Sequence, residues 1–370
     1  MSKRLFSISL IICGLVVSAL AQKPTPTPVV KIDDPNDVIK VNSRLVVIPA
    51  SVTDANGNSV QGLTANDFKI SEEGKGQTVD SVAPGEKVPL EIALLFDVSA
   101  STDAMFNYEL ETAASFLQGV MKADDRASVF SIGERPILVQ PRESADKAVV
   151  AIKGLQPTKG YTAFYDTISA AADYLRKNAP EHSRRVVVVI SDGEDTNSAY
   201  IAKAMQEGYR KLGSKINTMD TKTVYDLTVQ TNMNASLAER QRVVQLLQNV
   251  DAVFYSINPA GSSYQLNKIS VFGQQNMEKF AQDTGGTAFL PKFLTTNSKV
   301  SYDNATNTRL NNEMLDKIFR QLASELRSQY LVQYYSDAEL PNGKFVNLKV
   351  AVPTHPDAKI RARQGYYVKN

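Results

Sequence analysis

The 370-residue chain has one cysteine, Cys13, and two histidines, His182 and His355. A lone cysteine excludes an intramolecular disulfide, so stability has to come from core burial, with a bound metal as the other source. His182 lies in NAPEHSRR and His355 in PTHPDA, both loop-like contexts. A solvated loop histidine is far more often inert than half of a catalytic pair, and an enzyme needs a nucleophile, a base and a group that stabilises charge. Neither a GxxxxGK[ST] phosphate loop nor a GxGxxG turn occurs. An excess of one charge is missing too, since 41 Lys and Arg face 39 Asp and Glu. A balanced surface argues against nucleic acid as a partner.

The apolar stretch at the N-terminus, Leu5 to about Val17, is short for a membrane span. It follows Lys3 and Arg4 and precedes Ala19-Leu20-Ala21, the small-x-small pattern of signal-peptidase cleavage. Residues 1–21 are therefore expected to be a signal peptide, and the mature chain to be secreted to the periplasm, cell surface or medium without a membrane span. The alternative is an anchor that stays attached. Lipoprotein processing at Cys13 is disfavoured because Ile12 stands where a small residue is needed. Cleavage after Ala21 takes away two basic residues and no acid, which brings the formal charge from +2 to zero.

What is present is ordinary for a soluble globular protein: 43% hydrophobic and 22% charged residues, enough chain for two or three domains. Residues 22–40, QKPTPTPVVKIDDPNDVIK, alternate proline with threonine before charged clusters and read as an extended linker. Residues 41–88 carry short β-branched runs separated by DANGN and EEGKG, in which Asn-Gly and Gly-Lys-Gly supply the positive φ of tight turns, giving a small antiparallel β unit. Over 89–328 the pattern becomes strands alternating with helices. The runs IALLFDV, ASVFSI, VVVVIS and DAVFYSI are nearly unbroken, as strands covered on both faces are. Apolar positions Phe106, Leu110, Ala113, Leu117 and Val120 recur at helical spacing, and a last helix is expected over 310–328. The fold class this predicts is α/β: a Rossmann-like, doubly wound, mainly parallel sheet. Residues 329–370 return to β with LPNGK as a hairpin turn; lacking a core of their own, they are expected to pack with 41–88 as a small β-sandwich. The polar segments 196–235 and 292–309 read as surface excursions, and Tyr330, Tyr334, Tyr335, Tyr366 and Tyr367 as packing.

Ligands of open α/β sheets bind beyond the carboxyl ends of the strands, where connections diverge. Two strands end there in acid, FDVSAS at Asp97 and VVVVISDGED at Asp192. A carboxylate ending a buried strand is costly unless paired or metal-bound. Ser99 and Ser101 alternate after Asp97, so their hydroxyls project to one side of an extended loop. These are hard oxygen donors without imidazole or thiolate, which suits Mg²⁺, Mn²⁺ or Ca²⁺. Asp103 and Asp195 are expected to be solvated loop acids, and Asp166 to cap or solvate its helix.

DVSAS matches the Asp-x-Ser-x-Ser pattern of the von Willebrand factor type A domain. The family's other two elements follow in order, Thr162 in GYTAFYD and Asp192 in ISDGED. The chain resembles this family over about residues 89–290. With its flanking β segments it resembles the bacterial secreted von Willebrand factor A-related subfamily over about 41–368. The resemblance implies a metal-ion-dependent adhesion site in which Ser99 and Ser101 bind the ion directly. Thr162 would bind directly or through water, and Asp97 and Asp192 would hold its waters or switch to direct contact. It further implies an open coordination position that takes a carboxylate from a protein partner. The function expected is thus an exported, non-enzymatic adhesion or protein-interaction module. The alternatives are a structural envelope protein with this domain as spacer and a metal-dependent hydrolase; Asp97 as a mere helix cap is the corresponding alternative for the site.

Overall fold

Apolar strands without alternation have to be covered on both faces, and that requirement organises the middle of the chain. A computed structural model describes residues 44–99, 103–158, 160–259, 268–294 and 301–368. The expected signal peptide and linker, as well as Ser101, lie outside the described residues, as do the side chains of 103–105. The chain opens with β1 (Arg44–Thr53), β2 (Lys69–Glu72), β3 (Lys75–Gln77) and β4 (Ser81–Pro84). The alternating part runs β5 (Leu90–Asp97), α1 (Asp103–Val120), β6 (Arg126–Ile132), β7 (Ile137–Glu143), α2 (Ala145–Lys153), α3 (Phe164–Asn178) and β8 (Arg184–Ile190). It continues through α4 (Ala199–Leu212), α5 (Thr221–Asn249), β9 (Ala252–Ile257), α6 (Lys268–Thr284), β10 (Ala288–Phe289) and α7 (Ser301–Ser328). Four strands close the chain: β11 (Tyr330–Ser336), β12 (Phe345–Ala351), β13 (Lys359–Ala362) and β14 (Gly365–Tyr367).

The central sheet has the order β10-β9-β8-β5-β6-β7, parallel throughout except for the edge strand β7. Its two cores follow from the two-residue side-chain period of β5. Ile92, Leu94 and Phe96 join Phe106, Leu117, Ile152, Phe319 and Leu322 on one face. Ala93 and Leu95 join Phe164, Ile168, Leu175, Val243, Leu247 and Phe280 on the other. This is the doubly wound α/β arrangement. From β5 the chain moves to β6 on one side and later to β8 on the other, so the connections part where β5 and β8 lie side by side.

The remaining strands form two antiparallel sheets, β13-β1-β11-β4 and β14-β12-β2-β3. They enclose a third core that includes Ile48, Phe68, Ile70, Val332, Tyr334 and Val346. Tyr330, Tyr334 and Tyr366 are buried here, whereas Tyr335 alternates outward and is 50% exposed.

Three expectations need correction. Residues 196–235, read as a surface excursion, are mostly helical, as α4 and about half of α5. The last helix begins at Ser301, inside the second segment read as an excursion. In the β2–β3 hairpin the positive φ angles fall on Glu73 and Gly74, and Gly76 is an ordinary strand residue. That two-residue loop with both φ positive is the turn whose twist matches its flanking strands.

Candidate metal centre

Asp97 is the last residue of β5, and Ser191 and Asp192 follow directly on β8, so the pairing of these two strands places the acids on one sheet edge. The Asp97 carboxylate is divided between two loops. Its Oδ1 accepts from the Ser99 hydroxyl at 2.7 Å and the Ser99 amide at 3.0 Å. Its Oδ2 accepts from the Ser191 hydroxyl at 2.6 Å. Ser191, 1% exposed, in turn accepts from the Gly193 amide at 3.0 Å, which curls the chain after β8 around Asp192. Asp192 Oδ1 accepts from the Glu194 amide at 3.0 Å, and Glu194 accepts from the Ser270 hydroxyl on α6.

Thr162 reaches the same edge through backbone. Its carbonyl accepts from the amides of Thr196 and Asn197, both at 2.9 Å, and its amide donates to the Thr196 hydroxyl at 3.0 Å. Asp195 holds this pair of loops together. It is 3% exposed and accepts from the Tyr165, Asn197 and Ser198 amides and the Ser198 hydroxyl. The expectation of a solvated acid at Asp195 is therefore wrong. Asp166 is a cap, but of a neighbouring helix: its Oδ2 accepts from the Ala199 amide that starts α4, at 2.8 Å.

Electrostatically the edge is one-sided. No ion pair reaches Asp97, Asp192 or Glu109 among the described residues. Burial pushes the Asp97 carboxyl up, and burial together with the charge of Asp97 pushes Asp192 up to about 7. Glu109 on α1, 5% exposed, is raised to about 8, by burial first and then by Asp97. Carboxyl groups crowded in a low-dielectric pocket without a cation hold protons that they would otherwise release.

A divalent ion fits this donor set. Asp97, Ser99, Thr162 and Asp192 are all oxygen donors, and among the described residues no ion pair reaches the two carboxyl groups, whose ionisation a bound cation would favour. Among the described residues no cluster of three or more His, Cys, Asp or Glu side chains could hold a metal, so an ion here has to draw on hydroxyls. Of the five residues expected at the site, the structure ties Ser99 to Asp97 directly and links Asp97 to the Asp192 turn through Ser191. It brings Thr162 up by its backbone, while Ser101 lies outside the described residues. Sequence reasoning missed Ser191 and Glu109. Ser191 stands beside Asp192 in ISDGED, but only strand pairing shows that its hydroxyl meets Asp97. Glu109 looks like any helix acid until α1 is seen to be packed on the sheet.

Residues 92–194 match the family model of the von Willebrand factor type A domain. That interval begins in β5, ends at Glu194 and spans the five residues expected to hold the ion. The match covers a stretch shorter than the 89–290 of the sequence resemblance. No curated protein matches the chain. Among solved structures it is similar to proximal thread matrix protein 1 from the mussel byssus, in a form whose MIDAS motif is occupied by zinc. Identity there is 13% over 69% of this chain and 50% of that one, with a TM-score of 0.40. A von Willebrand factor type A protein from Catenulispora acidiphila is 13% identical over 89% of this chain and 64% of that one, TM-score 0.38. BatB from Bacteroides thetaiotaomicron is 13% identical over 62% of this chain and 99% of its own, TM-score 0.33. Likenesses this distant bear on neither ligand nor partner.

Proposed function

We propose that this protein is an exported, non-enzymatic interaction module that captures a carboxylate of a protein partner through a divalent cation. Asp97, Ser99, Ser101, Thr162 and Asp192 would hold the ion, with Mg²⁺, Mn²⁺ or Ca²⁺ suited to that oxygen set. The observation that carries the proposal is the joining of the β5 and β8 ends through Ser191, which puts the buried carboxyl groups of Asp97 and Asp192 on one edge. When bound, the ion supplies a positive centre toward which an acidic side chain is drawn.

The protein's own groups preorganise the edge. Ser191 orients Asp97, the Gly193 turn presents Asp192, and Asp195 locks the Thr162 loop to the 196–198 loop. Beside them a groove of about 690 Å³, lined by residues including Val98, Glu134, Arg135, Thr158 and Asn197, leaves room for a partner loop. Catalytic chemistry has little to work with at this edge. His182 and His355 are both exposed; His182 lies just before β8, at the opposite end of the sheet, and His355 lies in the sandwich.

The test is thermal unfolding during a titration with Mg²⁺ or Mn²⁺. Wild type is expected to gain stability with increasing ion, as binding to the native state requires, and Asp97→Ala to lose that gain. A wild-type melting curve indifferent to both ions would refute the proposal and favour a structural spacer.

A further inference from the structure

α4 and α5 form a hairpin that rises past the metal edge. α5 ends at Asn249, just before β9 begins at Ala252, and at Asn232 it donates to the Asp195 carbonyl beside the site. It therefore runs the height of the sheet, and residues 221–231, about 16 Å of helix, continue beyond the strand ends. α4 accompanies them. A Cβ on Gly208 would stand 3.3 Å from Thr231 Cγ2, and the Tyr209 hydroxyl is 3.2 Å from that of Thr228.

No residue from Ala202 to Thr228 is buried. Helices of this length gain little from propensity in water, because most helical stability comes from packing an apolar face. That packing is incomplete here. Between the two helices lies a groove of about 210 Å³, lined by residues including Met205, Gly208, Tyr209, Leu212 and Leu227. Tyr209 and Leu227 are 44% and 38% exposed. The groove is smaller than ordinary small-molecule sites and suits a single inserted side chain, the kind of anchor that dominates protein interfaces.

The charge of the hairpin selects the partner. Over residues 203–222, Lys203, Arg210, Lys211, Lys215 and Lys222 face only Glu207 and Asp220, and all seven are exposed. Asp220 is already engaged in capping α5 through Thr223, and the next acid, Asp226, pairs with Lys268 at 3.7 Å. None of the five basic side chains takes part in an ion pair among the described residues. Unpaired like charges on one arm repel each other, and an acidic partner relieves that repulsion and is steered toward it.

We propose that this arm grips an acidic protein segment and takes one apolar side chain of that segment into the groove between α4 and α5. The proposal rests on the reading of the metal edge as a carboxylate-binding site, and it says of the same partner that it carries further acids around an apolar anchor. A lipid surface fits less well. A membrane-bound helix presents a continuous apolar face outward, whereas Met205, Leu212 and Leu227 line a cleft between two helices.

Fluorescence anisotropy tests the proposal on the full chain in chelator and at low salt, with a labelled oligoglutamate and the same peptide carrying one central leucine. Both are expected to bind, the leucine peptide more tightly by roughly tenfold. Arg210→Gln, Lys211→Gln and Lys215→Gln together are expected to weaken both by roughly tenfold. Leu227→Ser is expected to remove the advantage of the leucine peptide and leave oligoglutamate unchanged. The three basic side chains are exposed and unpaired, so the charge variant keeps the test valid if the groove variant misfolds, as circular dichroism would show. Asp97→Ala is expected to bind both peptides as wild type does in chelator, so a failed ion site leaves this result standing. Conversely, a protein stabilised by Mg²⁺ that ignores both peptides would keep its ion site and lose the arm. Absence of peptide binding, equal affinity for the two peptides, or affinities unchanged in the charge variant would overturn the proposal. So would tighter binding to phosphatidylserine vesicles than to either peptide.

Discussion

Glu109 is the residue whose environment departs most from what its neighbours in the chain announce. Buried on the inner face of α1, with burial and then the charge of Asp97 raising it to about 8, it keeps its proton through neutral pH in the folded protein. The unfolded chain releases it near the ordinary glutamate value of 4.5. A raised acid makes its contribution at low pH and loses it as pH rises through the folded value. In chelator, stability is therefore expected to fall by up to about 1.4 kcal/mol per pH unit between about pH 5 and pH 8 from this group. Asp192, raised to about 7, adds a decline of the same sign. Glu109→Gln removes an ionisable proton while keeping the shape, so its denaturant-unfolding stability should decline visibly less over that interval. Equal slopes for variant and wild type would show that Glu109 is not held protonated. Asp97, Ser99 and Asp192 were legible as candidates because their types and spacing suit oxygen-donor chemistry. Ser191 and Glu109 were not, because only strand pairing and helix packing place them there.

The loop that presents Asp192 is seated on a helix by two glycines. Gly193 has φ +80°, and a Cβ there would stand 2.7 Å from the Gly273 carbonyl oxygen. A Cβ on Gly273 would stand 2.5 Å from the Gly193 carbonyl oxygen. Gly273 lies within α6, where an alanine would ordinarily help by about 1 kcal/mol. Here Gly273→Ala is expected to destabilise by about 1–3 kcal/mol through backbone overlap and to weaken ion binding by displacing the Asp192 turn. Equilibrium unfolding and an Mn²⁺ titration check both, and a stabilised variant would show that the close approach is not needed. The same scale explains why α4 and the first half of α5 escaped sequence reading, whereas the end of α5, AERQRVVQLLQN, carries a helical pattern in sequence. The buried stripe of α5 includes Asn232, Ser236, Glu239 and Gln248, a helical period half of which is written in polar residues. Asn232 uses that polarity to donate to the Asp195 carbonyl at 3.1 Å, so the helix supports the site with groups that a hydrophobic pattern cannot reveal.

The whole molecule is closed by strands from both ends of the described chain. β1 lies between β11 and β13, β4 pairs with β11, and β2 lies between β3 and β12. Deleting 329–370 removes β11 to β14 and leaves Ile48, Phe68 and Ile70 without their facing layer. It also removes Gln329, which accepts from Arg184 and donates to Tyr255 under the central sheet. The truncated chain is expected to lose its cooperative thermal transition and its near-ultraviolet circular dichroism. A sharp native-like melt would mean that the sandwich is dispensable.

The sequence by itself determined the α/β class, because unbroken β-branched runs can be satisfied only by helices on both faces. It also marked Asp97, Ser99, Ser101 and Asp192 as candidate oxygen donors by type and spacing, with Thr162 added by the family resemblance. Tertiary structure alone decided how far the acids at the site edge are stripped of solvent and that Ser191 joins the two strand ends. It alone carried the basic hairpin of α4 and α5 past that edge. These are relations between residues remote in sequence, and they exist only once backbone hydrogen bonds have fixed which strands are neighbours.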